Sequence, residues 1–428
     1  MSLTAPQRPQ GPTRSRRPRV PPAITRGSEA IPALSVVEEI PGDLGVVLWR
    51  SVRNVVLWAR TPAASRASLF DARAADARAA ELARVQPEAE LLAPLSVVVA
   101  LLEKPRDVEV GRLVNACRRI ATWAEGRGAL GTALEFAQAA ALARPDSAPL
   151  AFAVGRLARR RAEYDRAESW YMRAIVQARQ AGDWRSYALA FSGIGNMYVR
   201  RGNYRVARKA FVRSLRAARR HHLRDVCAMA YHDLYLCAAD TGEGAAAGPL
   251  AAQAIRAYGA AHPHLPRLAY DVAYNWVQLG NFAPAARVAE ALLPHFTGPG
   301  ERALVLGLLA RAAGGAGERE AFEAAAEEAE RMVGEMTPIE GFTGALLGIA
   351  NGAASLGDHE RAVHAAERAR HLARTRREAR VELAAEAVID AANAKRHAAA
   401  SPAGAAPAPE ADELAEKFVR ALSRVARV

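Results

Sequence analysis

An all-α array of helical repeats is the fold this sequence predicts, and three observations predict it. The 428 residues are rich in alanine, with 51% hydrophobic residues, and β-branched runs are few. Strand-like alternation of apolar and polar residues is scarce, so helix dominates. The stretch FSGIGNMYVRRGNYRVARKAF, residues 191–211, sets Phe191, Ile194-Gly195, Tyr198, Gly202, Tyr204, Ala207 and Phe211 at fixed offsets, and weaker copies recur along the chain.

Residues 1–30 form a basic Pro/Arg tail. Pro6, Pro9, Pro12, Pro18, Pro21 and Pro22 prevent regular structure, and Arg8, Arg14, Arg16, Arg17, Arg19 and Arg26 repel one another. The segment is either a solvated tail or an arm attracted to nucleic acid or anionic lipid. No apolar stretch follows Arg16-Arg17, so no export signal is expected. Cys117, Cys227 and Cys237 are too few and scattered for a disulfide framework or a zinc site, and fit a cytoplasmic chain. No run is long and apolar enough to predict a transmembrane helix.

Residues 31–62 turn apolar. Leu44 to Trp58 predicts an amphipathic helix, with Val47, Leu48, Val52, Val55 and Val56 on one face and Arg50 and Arg53 elsewhere. Such a helix can cap the open end of an array, or lie on a membrane surface through 44–58, or meet a partner. We read it as a cap. Residues 63–110 form a helical hairpin or degenerate repeat, with helices over 63–86 and 88–103 split by Pro87. Ala72, Ala75, Ala79 and Leu82 give the first a stripe. The second is apolar almost all round and should be buried, with Pro94 in its first turn.

About seven repeats follow over 111–396. The first carries Ile120, Gly128, Ala133 and Ala140; the second, Gly155, Tyr164, Ala167, Tyr171 and Ala174. The third is the 191–211 stretch. The fourth keeps Tyr231, Gly242, Ala247, Ala251 and Ala254, and the fifth Trp276, Gly280, Phe282, Ala285 and Ala289. The sixth holds Gly317, with an ambiguous register near Phe322, and the seventh keeps Ile349, Gly357, Ala362, Ala366 and Ala369. Small residues such as Gly155, Gly195 and Ala207 fall where two helices touch. Gly202 suits the turn between them.

This pattern resembles the tetratricopeptide (TPR) repeat. The matched alanines are spaced by 34, 40, 40 and 38 residues, similar to the subset of the family with repeats of about forty. The resemblance implies a right-handed helical solenoid with capping helices at both ends, because one hairpin cannot cover its own apolar face. A further helix begins near 378, a low-complexity linker spans 397–409, and an amphipathic helix over 410–428 places Leu414, Phe418, Leu422 and Val425 on one face. That helix either docks back on the solenoid or is a tethered peptide for another protein.

The resemblance also implies a non-catalytic scaffold that binds a protein or peptide, acidic or extended, in a concave groove lined by the first helix of each repeat. By register the groove residues are Arg156, Arg159 and Arg160; Ser192, Asn196 and Arg200; His232, Asp233 and Leu236; Tyr270, Asp271 and Tyr274; and Asn351. Asn196 can both donate to and accept from a peptide backbone. The net charge of +13 is mostly arginine. Its cluster around Arg208, Arg213 and Arg216 offers the alternative of a regulatory module on nucleic acid. No Gly-rich phosphate loop, nucleophile elbow or set of metal ligands is present, so no enzyme, cofactor or metal is expected. Nothing in the sequence fixes an oligomeric state.

Overall fold

Helix is the only regular backbone among the described residues: twenty α-helices and two short 3-10 turns. The computed structural model describes residues 34–71, 73–260, 262–336, 339, 341–376, 378–395 and 409–425. The tail expected at 1–30 and the linker expected over 397–409, Pro409 excepted, lie outside them. The chain divides into two units, 1–221 and 222–428.

The first unit opens with α1 (Leu34–Glu39), α2 (Asp43–Arg60), α3 (Ala74–Val85) and α4 (Ala89–Glu103). Three hairpins follow: α5 (Val110–Gly126) with α6 (Leu130–Ala143), α7 (Ala148–Arg160) with α8 (Tyr164–Ala181), and α9 (Trp184–Arg200) with α10 (Tyr204–Arg220). The α2 helix packs on α4 and α6 and buries Val47, Leu48, Val52, Val55 and Trp58. The face that would enter a membrane is therefore spent inside the unit. Glu39 latches this segment down: its carboxylate accepts from the Gly131 and Thr132 backbone N–H groups at 2.7 Å each, satisfying the exposed donors at the start of α6.

Three expectations for residues 63–103 are corrected. Residues 63–68 form a 3-10 turn, and the first helix begins only at Ala74. Its buried edge is Ala75 and Leu82; Ala79 is exposed, and Ala72 lies outside the described residues. The second helix starts at Ala89, so Pro94 sits inside it and leaves the Glu90 carbonyl without its helical donor. Arg119 Nη2 reaches that carbonyl at 3.5 Å. Only one face of α4 is buried, through Leu91, Leu95, Val98 and Leu101, and Leu92 is exposed.

The hairpins close through left-handed residues. Gly128, Gly202, Gly242, Gly280, Gly317 and Gly357 all have positive φ, and Ala162 holds the equivalent place in the second repeat with φ 60°. Of the loops expected at 180–186 and 221–225, the first narrows to residues 182–183, because α8 runs to Ala181 and α9 starts at Trp184. The second is loop over 221–223, between the end of α10 at Arg220 and the helix that starts at Arg224. Asp183 caps α9 by accepting from the Ser186 N–H at 3.0 Å. Glycines make room for rings, as expected. A Cβ on Gly155 would lie 2.8 Å from the Tyr171 ring, and one on Gly195 would lie 2.3 Å from Phe211.

The second unit holds α11 (Arg224–Asp240), α12 (Gly244–Tyr258), α13 (Leu265–Gln278), α14 (Phe282–Leu292), α15 (Pro299–Ala316), α16 (Arg319–Glu335), α17 (Phe342–Ser355), α18 (His359–Arg376), α19 (Ala379–Lys395) and α20 (Pro409–Val425). Here α15 and α17 meet backbone to backbone. A Cβ on Gly348 would lie 2.2 Å from the Gly307 carbonyl oxygen, and one on Gly314 would lie 2.5 Å from that of Gly352. The ambiguous sixth register has a physical cause. Phe322 stands where the other repeats carry alanine, and Gly352 opposite leaves space for its ring.

Of the two fates open to the C-terminal helix, α20 is docked, on α12, α13 and α14. It buries Ala411, Leu414, Ala415, Phe418 and Leu422. The Phe418 ring meets Trp276 edge-on, with centroids 6.5 Å apart, and Arg287 pairs with Asp412.

Candidate binding cleft

The first helices of successive hairpins in the second unit face one cleft of about 880 Å³. Helix α11 supplies Leu236 and Asp240; α13 supplies Asp271, Tyr274, Asn275 and Gln278; α15 supplies Arg311; α17 supplies Leu347 and Asn351; and α19 supplies Arg380 and Val388. One helix in two lines the cleft because each hairpin turns its other helix outward. The walls combine aliphatic side chains with amides, guanidinium groups and the carboxylates of Asp240 and Asp271, a mixture that suits an extended peptide.

Arg311 is the exceptional member. It is half-buried, and Nη2 donates to Gln278 Oε1 at 3.2 Å. No carboxylate pairs with it among the described residues. Burial therefore pulls its pKa below the usual arginine value, with the Tyr274 hydroxyl acting weakly in the other sense. A desolvated guanidinium without a counter-ion favours an anion from outside. Asn351 Nδ2 donates to the Leu347 carbonyl at 2.7 Å. The Asn275 amide makes no side-chain hydrogen bond among the described residues.

The residues expected from sequence are distributed unevenly. Leu236, Asp271, Tyr274 and Asn351 line this cleft, and Tyr274 is 43% exposed. The Asp271 carboxylate is already engaged, with Oδ2 2.9 Å from His232 Nε2 and Oδ1 3.4 Å from Arg267 Nε. His232 is buried and braces α11 against α13. Tyr270 is buried beside Tyr274, and burial pushes its hydroxyl pKa up. Asp233 is half-buried on the side of α11 that faces Tyr258, whose own pKa it helps to raise after burial has done most.

The other expected residues lie in the first unit. Arg156 forks onto Glu125, with Nη1 to Oε1 at 2.5 Å and Nη2 to Oε2 at 2.7 Å, and Arg160 joins the same carboxylate. The hydrogen bond from Arg156 is the largest influence holding the Glu125 carboxyl below the usual range. Ser192 is buried and donates to Ser214 Oγ at 3.1 Å, so it is a packing contact between α9 and α10. Asn196 is half-buried, with its amide unbonded among the described residues, and Arg200 is exposed.

Sequence reasoning missed Arg311, Asn275, Gln278 and Arg380. Arg311 carried a legible signal: it is the single charge in the apolar run ALVLGLLARAAGGA. The amides carried none. A smaller cleft of about 580 Å³ in the first unit, lined by Asn115, Arg118, Arg119, Thr122 and Trp123, was also missed. Among the described residues no group of three His, Cys, Asp or Glu gathers as a metal set, and no helix is long and apolar enough to cross a membrane.

Residues 146–220 match the family model described as tetratricopeptide repeat. The sequence has no significant match among curated proteins. Among solved structures, Rap protein complexed with competence and sporulation factor is similar at 11% identity, covering 78% of this chain and 99% of that one, with a TM-score of 0.45. BtubC (BKLC) from P. vanneervenii is similar at 15% identity, covering 54% and 95%, with a TM-score of 0.41. The TPR2AB-domain:pHSP90 complex of yeast Sti1 is similar at 14% identity, covering 66% and 99%, with a TM-score of 0.26. These TM-scores are too low for close superposition.

Proposed function

We propose that this chain, which carries tetratricopeptide repeats, is a non-catalytic interaction module that binds an extended peptide segment bearing a carboxylate. Its binding site is the cleft between α11 and α19. Arg311 takes the carboxylate, with Arg380 exposed nearby in the same wall. Asn275, Gln278 and Asn351 address the peptide backbone, whose donors and acceptors are the same in every sequence. Leu236, Leu347 and Val388 receive apolar side chains. The observation that carries this proposal is the half-buried Arg311 guanidinium facing the cleft with no carboxylate paired to it among the described residues.

Relative to the groove expected from sequence, this site keeps Leu236, Asp271, Tyr274 and Asn351 and rests its charge recognition on Arg311 in place of Arg156 and Arg160, which already share Glu125. The cytoplasm is the proposed setting. Cys117 is buried in apolar surroundings that push its thiol up to about 12, the behaviour of a packing residue.

Selection of a random-peptide display library against the full chain tests the proposal. Enrichment of acidic peptides that bind wild type and fail on Arg311→Gln supports it. Enriched peptides that bind both proteins alike, while losing Asn196→Ala with Arg200→Glu, would move the site to α9.

A further inference from the structure

From Trp184 to Arg224 the sequence contains no aspartate or glutamate, although it contains eleven arginines and lysines. The hairpin of α9 and α10 holds ten of the eleven. Five of them, Arg205, Lys209, Arg213, Arg216 and Arg220, recur every three or four residues along α10 and are all exposed. That spacing puts them in one row on the helix, about 22 Å long at 1.5 Å per residue. The opposite face of α10 buries Ala207, Phe211, Leu215 and Ala218, so the row cannot rotate away from solvent.

The row differs from four arginines of the preceding hairpin. Arg156 and Arg160 share Glu125, Arg161 meets Glu39 at 3.0 Å, and Arg166 meets Glu135 at 3.5 Å. Along the row no carboxylate pairs with any of the five among the described residues. Of the five, only Arg213 lies over a ring among the described residues, its guanidinium 5.6 Å from the centre of Phe191.

We propose that this row docks the phosphate backbone of duplex nucleic acid, independently of base sequence. Four of the five are arginines, whose planar fork matches phosphate oxygens. None of the large exposed hydrophobic side chains belongs to residues 184–224, so the strip has no large apolar side chain to insert into a lipid surface. An acidic peptide would find no apolar surface there to bury, and its gain would come from charge alone. A partner held by charge alone gains most when its charges lie densest, and duplex nucleic acid carries one for every ~1.7 Å of its axis. This surface lies on the second helix of its hairpin, in the first unit, and shares no residue with the peptide cleft.

Fluorescence anisotropy of the full chain with two labelled DNA duplexes of unrelated sequence, across a series of KCl concentrations, tests the proposal. Wild type is expected to bind both alike. The slope of log K against log salt should be about −4.5, at −0.9 per phosphate for five contacts. Replacing all five cations by glutamine should weaken binding at least tenfold at low salt and flatten the slope. Replacing the four arginines by lysine should keep most of both. Single reversals, Lys209→Glu and Arg216→Glu, should each weaken binding and guard against a misfolded multiple variant. Absence of binding at low salt overturns the proposal. So does unchanged binding by the glutamine variant, or poly-glutamate displacing the protein at lower charge concentration than unlabelled duplex.

Discussion

Phe418 of α20 meets Trp276 of α13 edge to face, their ring centroids 6.5 Å apart and their planes at 78°. A helix separated by more than a hundred residues from its dock thus completes the apolar packing of the fourth and fifth hairpins. Its fully buried ring makes α20 part of the second unit's core. Phe418→Ala should therefore cost about 3–5 kcal/mol, as for other buried phenylalanines. Chemical denaturation would register it as a lower midpoint. A loss under about 1 kcal/mol would mean that α20 is only loosely held.

Two glycines should behave differently when enlarged. Gly202 has φ 71° and open space around its missing Cβ, so Gly202→Val incurs only left-handed strain, about 1–2 kcal/mol. Gly348→Val drives a side chain into the Gly307 backbone at 2.2 Å, where nothing flexible can yield. It should force α15 and α17 apart and cost more than Gly202→Val. Thermal melts of the two variants give the order; equal losses would contradict the backbone contact.

Ala162 occupies a left-handed position that glycine fills in the other hairpins. Ala162→Gly removes about 1–2 kcal/mol of strain and loosens the unfolded chain by about 0.4–1 kcal/mol. A net stabilisation of about 0–1.6 kcal/mol is expected, seen as a rise in melting temperature.

Glu39→Gln keeps the shape of the α6 cap and removes its charge. The N-terminus of α6 and Arg161, 3.0 Å away, both favour the carboxylate. A loss of about 1–2 kcal/mol is expected, with faster amide hydrogen exchange in α1 and α2. Unchanged exchange there would show that apolar packing alone holds the segment.

The repeat architecture was legible because its packing demands particular residues at particular offsets. Gly155 and Gly195 at helix contacts and Gly202 at a turn could be named from the sequence; that the rings they admit are Tyr171 and Phe211 is visible only in the structure. The sixth hairpin was obscure because Phe322 and Gly352 exchange large and small across an interface, which no single-repeat pattern records. The cleft was harder. Register marks which helix face points inward, but not which polar groups are already satisfied. Register alone marks Arg156 and Arg160 as available, but Glu125, thirty-odd residues away, holds both. Ser192 looked outward until its bond to Ser214 was seen. Arg311 was passed over because the sixth repeat lacked a firm register.

The central claim is that Arg311 receives a carboxylate in the cleft of the second unit. Its most direct test is the dissociation constant, by titration calorimetry, of an acidic peptide selected on the wild-type chain, measured against wild type and Arg311→Gln. A charge-assisted hydrogen bond contributes about 1.5–3 kcal/mol, so a tenfold to hundredfold loss is predicted, with thermal stability nearly unchanged. Equal affinity for both proteins would contradict the account.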